Sequence, residues 1–182
     1  MQKIKSFFIV LFLGLTISAC EGENTSSVKM YYDLEGWINA QAEVLNKEKP
    51  EITKNWKIAS ESESKKVKIA DWKKELDIFI QGDINKNAFV SSYETSQTDS
   101  SVTYTLKPNE DLLVKSLTIK KLPNGEIKEV FIKTSTKNYL YENDTDLTLI
   151  CKNGKLASYM VNTNQKLVFN SPKKSSIEGI IN

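Results

Sequence analysis

Between Met30 and Lys47 the apolar residues fall at Met30, Leu34, Trp37, Ile38, Ala42 and Leu45, one stripe with charged residues opposite. Residues three and four apart share a helix face, so this spacing predicts an amphipathic helix laid on a core. Pro50, which has no N–H for a further turn, stops it. The period then drops to two. Ile52, Lys54, Trp56 and Ile58 alternate, Ser60–Ser64 reads as a turn, and Val67 and Ile69 resume the alternation, which is the pattern of a β-hairpin. A second helix is predicted from Asp71, a good N-cap residue, to Gln81. Its face is Trp72, Leu76, Phe79 and Ile80, with Gly82 placed as a left-handed C-cap.

The rest of the chain has strand character. Candidate strands are Phe89–Thr95, Ser101–Lys107, Leu112–Leu122, Glu126–Thr134, Asn138–Glu142, Leu147–Lys152, Lys155–Asn162 and Gln165–Phe169. Asn124-Gly125 and Asn153-Gly154 each separate two of these runs, and Asn-Gly is the strongest short hairpin signal. Parallel pairing would need crossover helices, and the pattern offers none. The expected fold is α+β: an antiparallel β-meander of about eight strands covered by two N-terminal helices, in a single domain over residues 29–182.

The opening of the chain is patterned differently. Lys3 and Lys5 precede the apolar run Phe7–Leu15, and Ile17-Ser18-Ala19-Cys20 closes it. The uncharged stretch from Ser6 to Ala19 is fourteen residues, short of the roughly 20 that a membrane-spanning helix needs. These residues resemble the signal and lipobox of bacterial lipoproteins, in which small residues precede an obligatory cysteine; Ile17 stands where Leu is commoner. The resemblance implies that residues 1–19 are a signal peptide cut after Ala19, that Cys20 carries a diacylglycerol, and that residues 20–28 tether the domain to a membrane it does not span. Seven linker residues, Glu21–Ser27, reach at most about 25 Å, so the domain would sit close to the bilayer. The location implied is the cell envelope, at the outer membrane, on its periplasmic or surface face. Glu21 and Glu23 resemble the acidic signals that send lipoproteins to the cell surface in some Gram-negative bacteria.

Composition narrows the chemistry. All 25 basic residues are Lys, and there is no Arg or His. Without imidazole there is no Ser-His-Asp or Cys-His system and no histidine metal site; without guanidinium there is no planar fork for carboxylate or phosphate. Neither a glycine-rich phosphate loop nor a zinc-type cysteine cluster is present, and no cofactor is expected. Losing Lys3 and Lys5 with the signal takes the formal charge from +2 to zero, which leaves no basic field for nucleic acid. Once Cys20 is acylated, Cys151 has no intramolecular partner. It lies in the apolar run Leu147–Cys151 and reads as a buried small hydrophobe, with intermolecular pairing as the alternative.

Two stretches could carry more. Asp83-Ile84-Asn85-Lys86-Asn87 through Glu94 places oxygen donors at Asp83, Asn85, Asn87 and Glu94, and resembles an EF-hand calcium loop. Ala88 occupies the position of the turn glycine and no exit helix follows, so a helix-to-strand loop with Asx turns is the competing reading. Together with Glu75-Leu76, the stretch also resembles a pattern of small, uncharacterised envelope lipoproteins, which brings no activity with it. The lysines between Lys47 and Lys74 are interleaved with carboxylates, as on a solvated face; beside a membrane they could meet anionic head groups.

The function expected from these features is a lipid-anchored, non-catalytic binding or interaction module with a protein or lipid partner. The alternative is a lipid or lipoprotein carrier, resembling the open half-barrels that shuttle lipoproteins, with an apolar cavity between sheet and helices. A third reading, an envelope enzyme built on Lys, Ser and carboxylates, would need Lys, Asp and Glu gathered in one pocket with perturbed ionisation.

Overall fold

The computed structural model describes residues 29–182; the expected signal peptide (1–19), Cys20 and the expected tether (20–28) all fall outside the described residues. Helix α1 spans Leu34–Glu48 and buries Leu34, Ile38, Ala42 and Leu45. It starts one turn later than the apolar stripe because two carboxylates set its first turn. Asp33 Oδ1 accepts from the Gly36 N–H at 2.8 Å, and Asp83 Oδ2 accepts from the Glu35 N–H at 2.9 Å. Ahead of it the chain bends at Met30 and Tyr31, with the Tyr31 N–H held by Asn85 Oδ1 at 3.0 Å and the Tyr32 N–H held by the Tyr104 hydroxyl at 3.1 Å. At the other end Lys49 turns left-handed, φ 49°, just before Pro50.

The hairpin β1 (Glu51–Ile58) and β2 (Glu61–Lys68) closes through Ala59 and Ser60 alone, with Ala59 at φ 53°, a tighter turn than the five polar residues suggested. The second predicted helix is not continuous. Asp71 caps as expected, accepting from the N–H groups of Lys73 and Lys74, but Leu76 leaves the helical region after one turn. The segment is therefore two short pieces, α2 (Trp72–Glu75) and α3 (Asp77–Ile80). Gly82 is not left-handed. A side chain there would meet Ile132, with a Cβ only 2.7 Å from its Cδ1, so the position is small because helix and sheet approach closely.

After a 3-10 turn at Asn87–Phe89 come β3 (Tyr93–Gln97), β4 (Ser101–Leu106), β5 (Val114–Lys121), β6 (Ile127–Lys137), β7 (Tyr141–Lys152), β8 (Lys155–Leu167) and β9 (Lys173–Ile181). From β3 to β9 each strand lies beside its chain neighbour, the expected antiparallel meander. The count differs from the expectation. β7 and β8 each fuse two predicted strands, β9 was not foreseen, and β1 pairs with β9 from Ile52↔Ile181 to Ile58↔Ser175. One open sheet of nine strands results, in the order β2-β1-β9-β8-β7-β6-β5-β4-β3. Its edges are polar: β2 reads Glu-Ser-Glu-Ser-Lys-Lys-Val-Lys and all but Val67 are exposed, which discourages a further strand from adding there.

The core lies under the helices, on one face. Leu117, Ile119, Val130, Ile132, Leu147 and Leu149 from the central strands meet Leu34, Ile38, Trp72, Leu76 and Phe79 from above, each 0 or 1% exposed. At its margin Tyr159 lies across Gly179, its cross-strand partner, and donates its hydroxyl to Glu75, which also accepts from Lys54 Nζ at 2.7 Å. Added methyl bulk at Gly179 would collide with that ring.

Candidate functional site

On the face away from the helices the sheet register aligns two polar rows. The first runs Lys57 (β1), Ser176 (β9), Asn162 (β8), Asp146 (β7) and Lys133 (β6), each the direct partner of the next. The second, two residues nearer the strand ends, runs Lys174, Asn164, Asp144 and Ser135. Side chains two apart on a strand point the same way, so both rows stand on one face. They floor a trough of about 780 Å³ whose flanks include Lys57 at one side and Lys115 at the other. Those residues belong to strands five positions apart in the sheet, so one concavity between them requires the sheet to curl across β1 to β5. A second hollow of about 470 Å³ adjoins it, sharing Lys57 and Ser176 and adding Asn55 and Glu178, which are hydrogen bonded at 2.9 Å.

The trough mixes charge without neutralising it. Lys115 is paired with Asp111 at 3.1 Å. Among the described residues Lys57, Lys133, Lys174, Asp144 and Asp146 have no ion-pair partner within 4.0 Å. Lys133 instead lies 5.7 Å from the ring centroid of Phe131, two residues before it on the same face of β6. The surface can thus donate from ammonium groups and amides and accept on carboxylates and hydroxyls, over a span several sugar rings or peptide units long.

Sequence reasoning missed this site because it lies where loops were expected. Asn143–Asp146 and Thr163–Asn164 separate the fused strands and read as polar breaks. The signal was there in the spacing. Asp144 and Asp146 flank Thr145, Asn162 and Asn164 flank Thr163, and an i, i+2 repeat around a β-branched residue is a strand with one wet face.

The residues singled out from sequence lie elsewhere. Asp83 is buried and both its oxygens are engaged, Oδ2 by the Glu35 N–H and Oδ1 by the Asn85 N–H at 2.7 Å. Asn85 holds Tyr31 and Tyr32 through its side-chain oxygen and nitrogen. Asn87 sits in the 3-10 turn, and Glu94 is exposed on β3. Asp83 and Asn85 thus serve as anchors for the start of α1, and the adjoining hollow of about 290 Å³ has Lys29 and Lys86 on its lining together with Glu35 and Asp83. Cys151 is buried at an irregularity of β7, and burial pushes its thiol up to about 11, which suits neither nucleophile nor metal ligand. The lysines of β2 pair with carboxylates, Lys66 with Glu51 at 3.6 Å and Lys65 with Glu63, on a fully wet edge.

Compared with protein-family models, with curated proteins and with solved structures, the chain matches none. Among the described residues no helix is long and apolar enough to cross a membrane, which leaves β-barrels unaddressed.

Proposed function

We propose that this chain is a lipid-anchored, non-catalytic binding module of the bacterial cell envelope, whose ligand lies in the trough on the open face of the sheet. The observation that carries the reading is the pair of aligned polar rows, Lys57-Ser176-Asn162-Asp146-Lys133 and Lys174-Asn164-Asp144-Ser135. Four lysines against two aspartates line the trough, so it favours a hydroxyl-rich ligand of net negative charge, such as an acidic polysaccharide. The absence of imidazole and the exposure of Lys57, Lys133, Lys174 and Asp144 favour binding over catalysis. Membrane attachment through Cys20 is supported by the lipobox resemblance of Ile17–Cys20. The carrier alternative wants an apolar cavity under the helices; Leu34, Ile38, Trp72 and Phe79 fill that space, each at 0% exposure, which weighs for the binding module.

Two experiments test it. Calorimetric titration of the full chain with polygalacturonate, with dextran as the neutral control, should show binding to the acidic polymer alone. Lys57→Glu/Lys133→Glu/Lys174→Glu should weaken it at least tenfold, about 1.4 kcal/mol. Affinity untouched by the triple change, or no binding to the polyanion, overturns the trough assignment. Separately, Cys20→Ala should release the protein from membrane fractions, and unchanged retention defeats the anchor.

A further inference from the structure

Among the described residues eleven large apolar side chains are exposed, and six of them gather at one end of the sheet: Ile58, Leu113, Tyr139, Leu140, Val168 and Phe169. The register shows how. The row Ile58-Ser175-Thr163-Thr145-Thr134-Val114 marks where β1 and β5 stop. Strands β6 to β9 run on past it, β7 by the four residues from Thr145 to Tyr141, about 13 Å, and β9 by Lys173 and Lys174. Two turns crown this projection. Tyr139 and Leu140, 85% and 52% exposed, lie in one; Val168 and Phe169, 57% and 93% exposed, lie in the other. The turns are joined by a hydrogen bond from the Val168 N–H to the Leu140 carbonyl at 3.1 Å, so the four side chains form one crest. At the opposite end the turns are Thr98-Asp99-Ser100, Pro123-Asn124-Gly125 and Asn153-Gly154, with no large apolar residue among them.

Charge around the crest is predominantly positive, with Glu142 the carboxylate in register between Lys137 and Lys166. Segments 137–141 and 166–174 contain four lysines, Lys137, Lys166, Lys173 and Lys174, and no Asp or Glu. All four are exposed, and Lys137 alone reaches a carboxylate, Glu142 at 3.6 Å. We propose that this crest is a membrane contact: the Tyr139–Leu140 and Val168–Phe169 turns enter the headgroup region of an anionic bilayer while the lysines around them meet lipid phosphates. Shape separates this from a protein-docking face. A specific protein interface needs about 800 Å² on each partner, which suits a broad flat area better than a crest made of two neighbouring turns. A bilayer accepts a protruding point, with the aliphatic stems of lysine lying along the apolar zone and their ammonium groups in the headgroups. Each lysine that reaches an anionic surface strengthens the contact about fivefold.

The proposal supposes that the domain works beside a membrane, but its readout, at position 169, is local to the crest and lies outside the trough, with which the crest shares Lys174. The full chain carrying Phe169→Trp is placed in phosphatidylglycerol vesicles with brominated acyl chains, and the emission of Trp37, Trp56 and Trp72 in the parent chain is subtracted. The added emission should fall at least twofold there and remain unchanged in brominated phosphatidylcholine. Ile78→Trp, an exposed position on α3, should stay unquenched in both. Absence of quenching at position 169 overturns the proposal and returns the crest to a protein partner. Equal quenching in the two lipids, or at position 78, overturns it as well.

Discussion

Asp146 and Leu147 are neighbours in β7, yet they belong to different chemical worlds. Leu147 stands in the row Ile132-Leu147-Val161-Ile177, pressed under the helical layer, whereas Asp146 stands in the row Lys133-Asp146-Asn162-Ser176, open to water. Four strands repeat the same one-residue step from aliphatic to polar. A slip of one residue in any pairing would put lysine and aspartate under α1 and leucine in the trough, so the contrast itself fixes the register. It also divides labour: one face holds the fold together and the other is free to carry binding chemistry.

That division is broken most directly by cutting into each face. Trp72 is wholly buried beneath α1, so Trp72→Ala should cost about 3–5 kcal/mol in urea unfolding. Trp72→Phe should cost much less, because the indole N–H has no hydrogen-bond partner among the described residues and its loss forfeits no bond. Asn162→Ala, on the open face of β8, should fall within about 0.5 kcal/mol of the parent. If Asn162→Ala approached Trp72→Ala in cost, the open face would be structural and the trough would lose its standing as a binding surface.

The next test falls on the margin of the covered face. The Tyr159 ring lies over Gly179, so Gly179→Ala should overpack that margin and cost about 1–3 kcal/mol. In a double-mutant cycle, Tyr159→Ala should cancel a large part of that cost, since the two residues are direct partners between β8 and β9. Simple additivity would mean that Tyr159 is free to move aside.

Legibility in the sequence followed the same division. The covered face was readable because its signal is local: the stripe Leu34, Ile38, Ala42, Leu45 and the strand aliphatics Leu117, Ile119, Val130 and Ile132 announce a helix on a sheet. Asn153-Gly154 announced its turn equally well, and both residues take positive φ. What stayed hidden depends on distant partners. Lys173–Ile181 reads as strand only once β1 is there to pair with it, across more than a hundred residues of chain. The trough was hidden for a related reason: Asp144 and Asn164 have polar sequence neighbours, and their strand conformation is imposed by flanking β6 and β9. Local propensity lost to sheet context there.

A smaller effect should come from the entry to α1. Asp83 reaches across from the loop after α3 to cap the helix, so Asp83→Ala removes an acceptor from the Glu35 and Asn85 N–H groups and should cost about 1–2 kcal/mol. Asp83→Asn, which keeps one oxygen, should cost less. Loss of helical circular dichroism at 222 nm alongside the fall in stability would identify the cap as the cause; a neutral Asp83→Ala would show that Asp33 caps α1 unaided.

The gentlest probe of the covered face is alkali. Tyr93, Tyr104, Cys151 and Tyr159 all lie on it, and burial is the leading reason that each holds its proton more tightly than it would in water. Tyr93 is pushed up to about 12 and Cys151 to about 11, and Glu75 beside Tyr159 adds to the effect of burial there. In the unfolded chain these groups ionise near their ordinary values of 10.0 for tyrosine and 9.0 for cysteine. As pH rises through that range the unfolded state releases protons first, so it binds fewer than the native state and stability must fall. The contribution is complete below about pH 9 and drains away upward through the folded-state values. Urea midpoints measured at pH 8 and pH 10.5 should therefore drop while the slope of the transition stays constant. Tyr159→Phe should be less stable at pH 8, having lost its bond to Glu75, and should lose less on going to pH 10.5 because one titrating group is gone. A midpoint indifferent to pH over this interval would mean that water reaches these phenols, and with it that the covered face is less tightly closed than its packing implies.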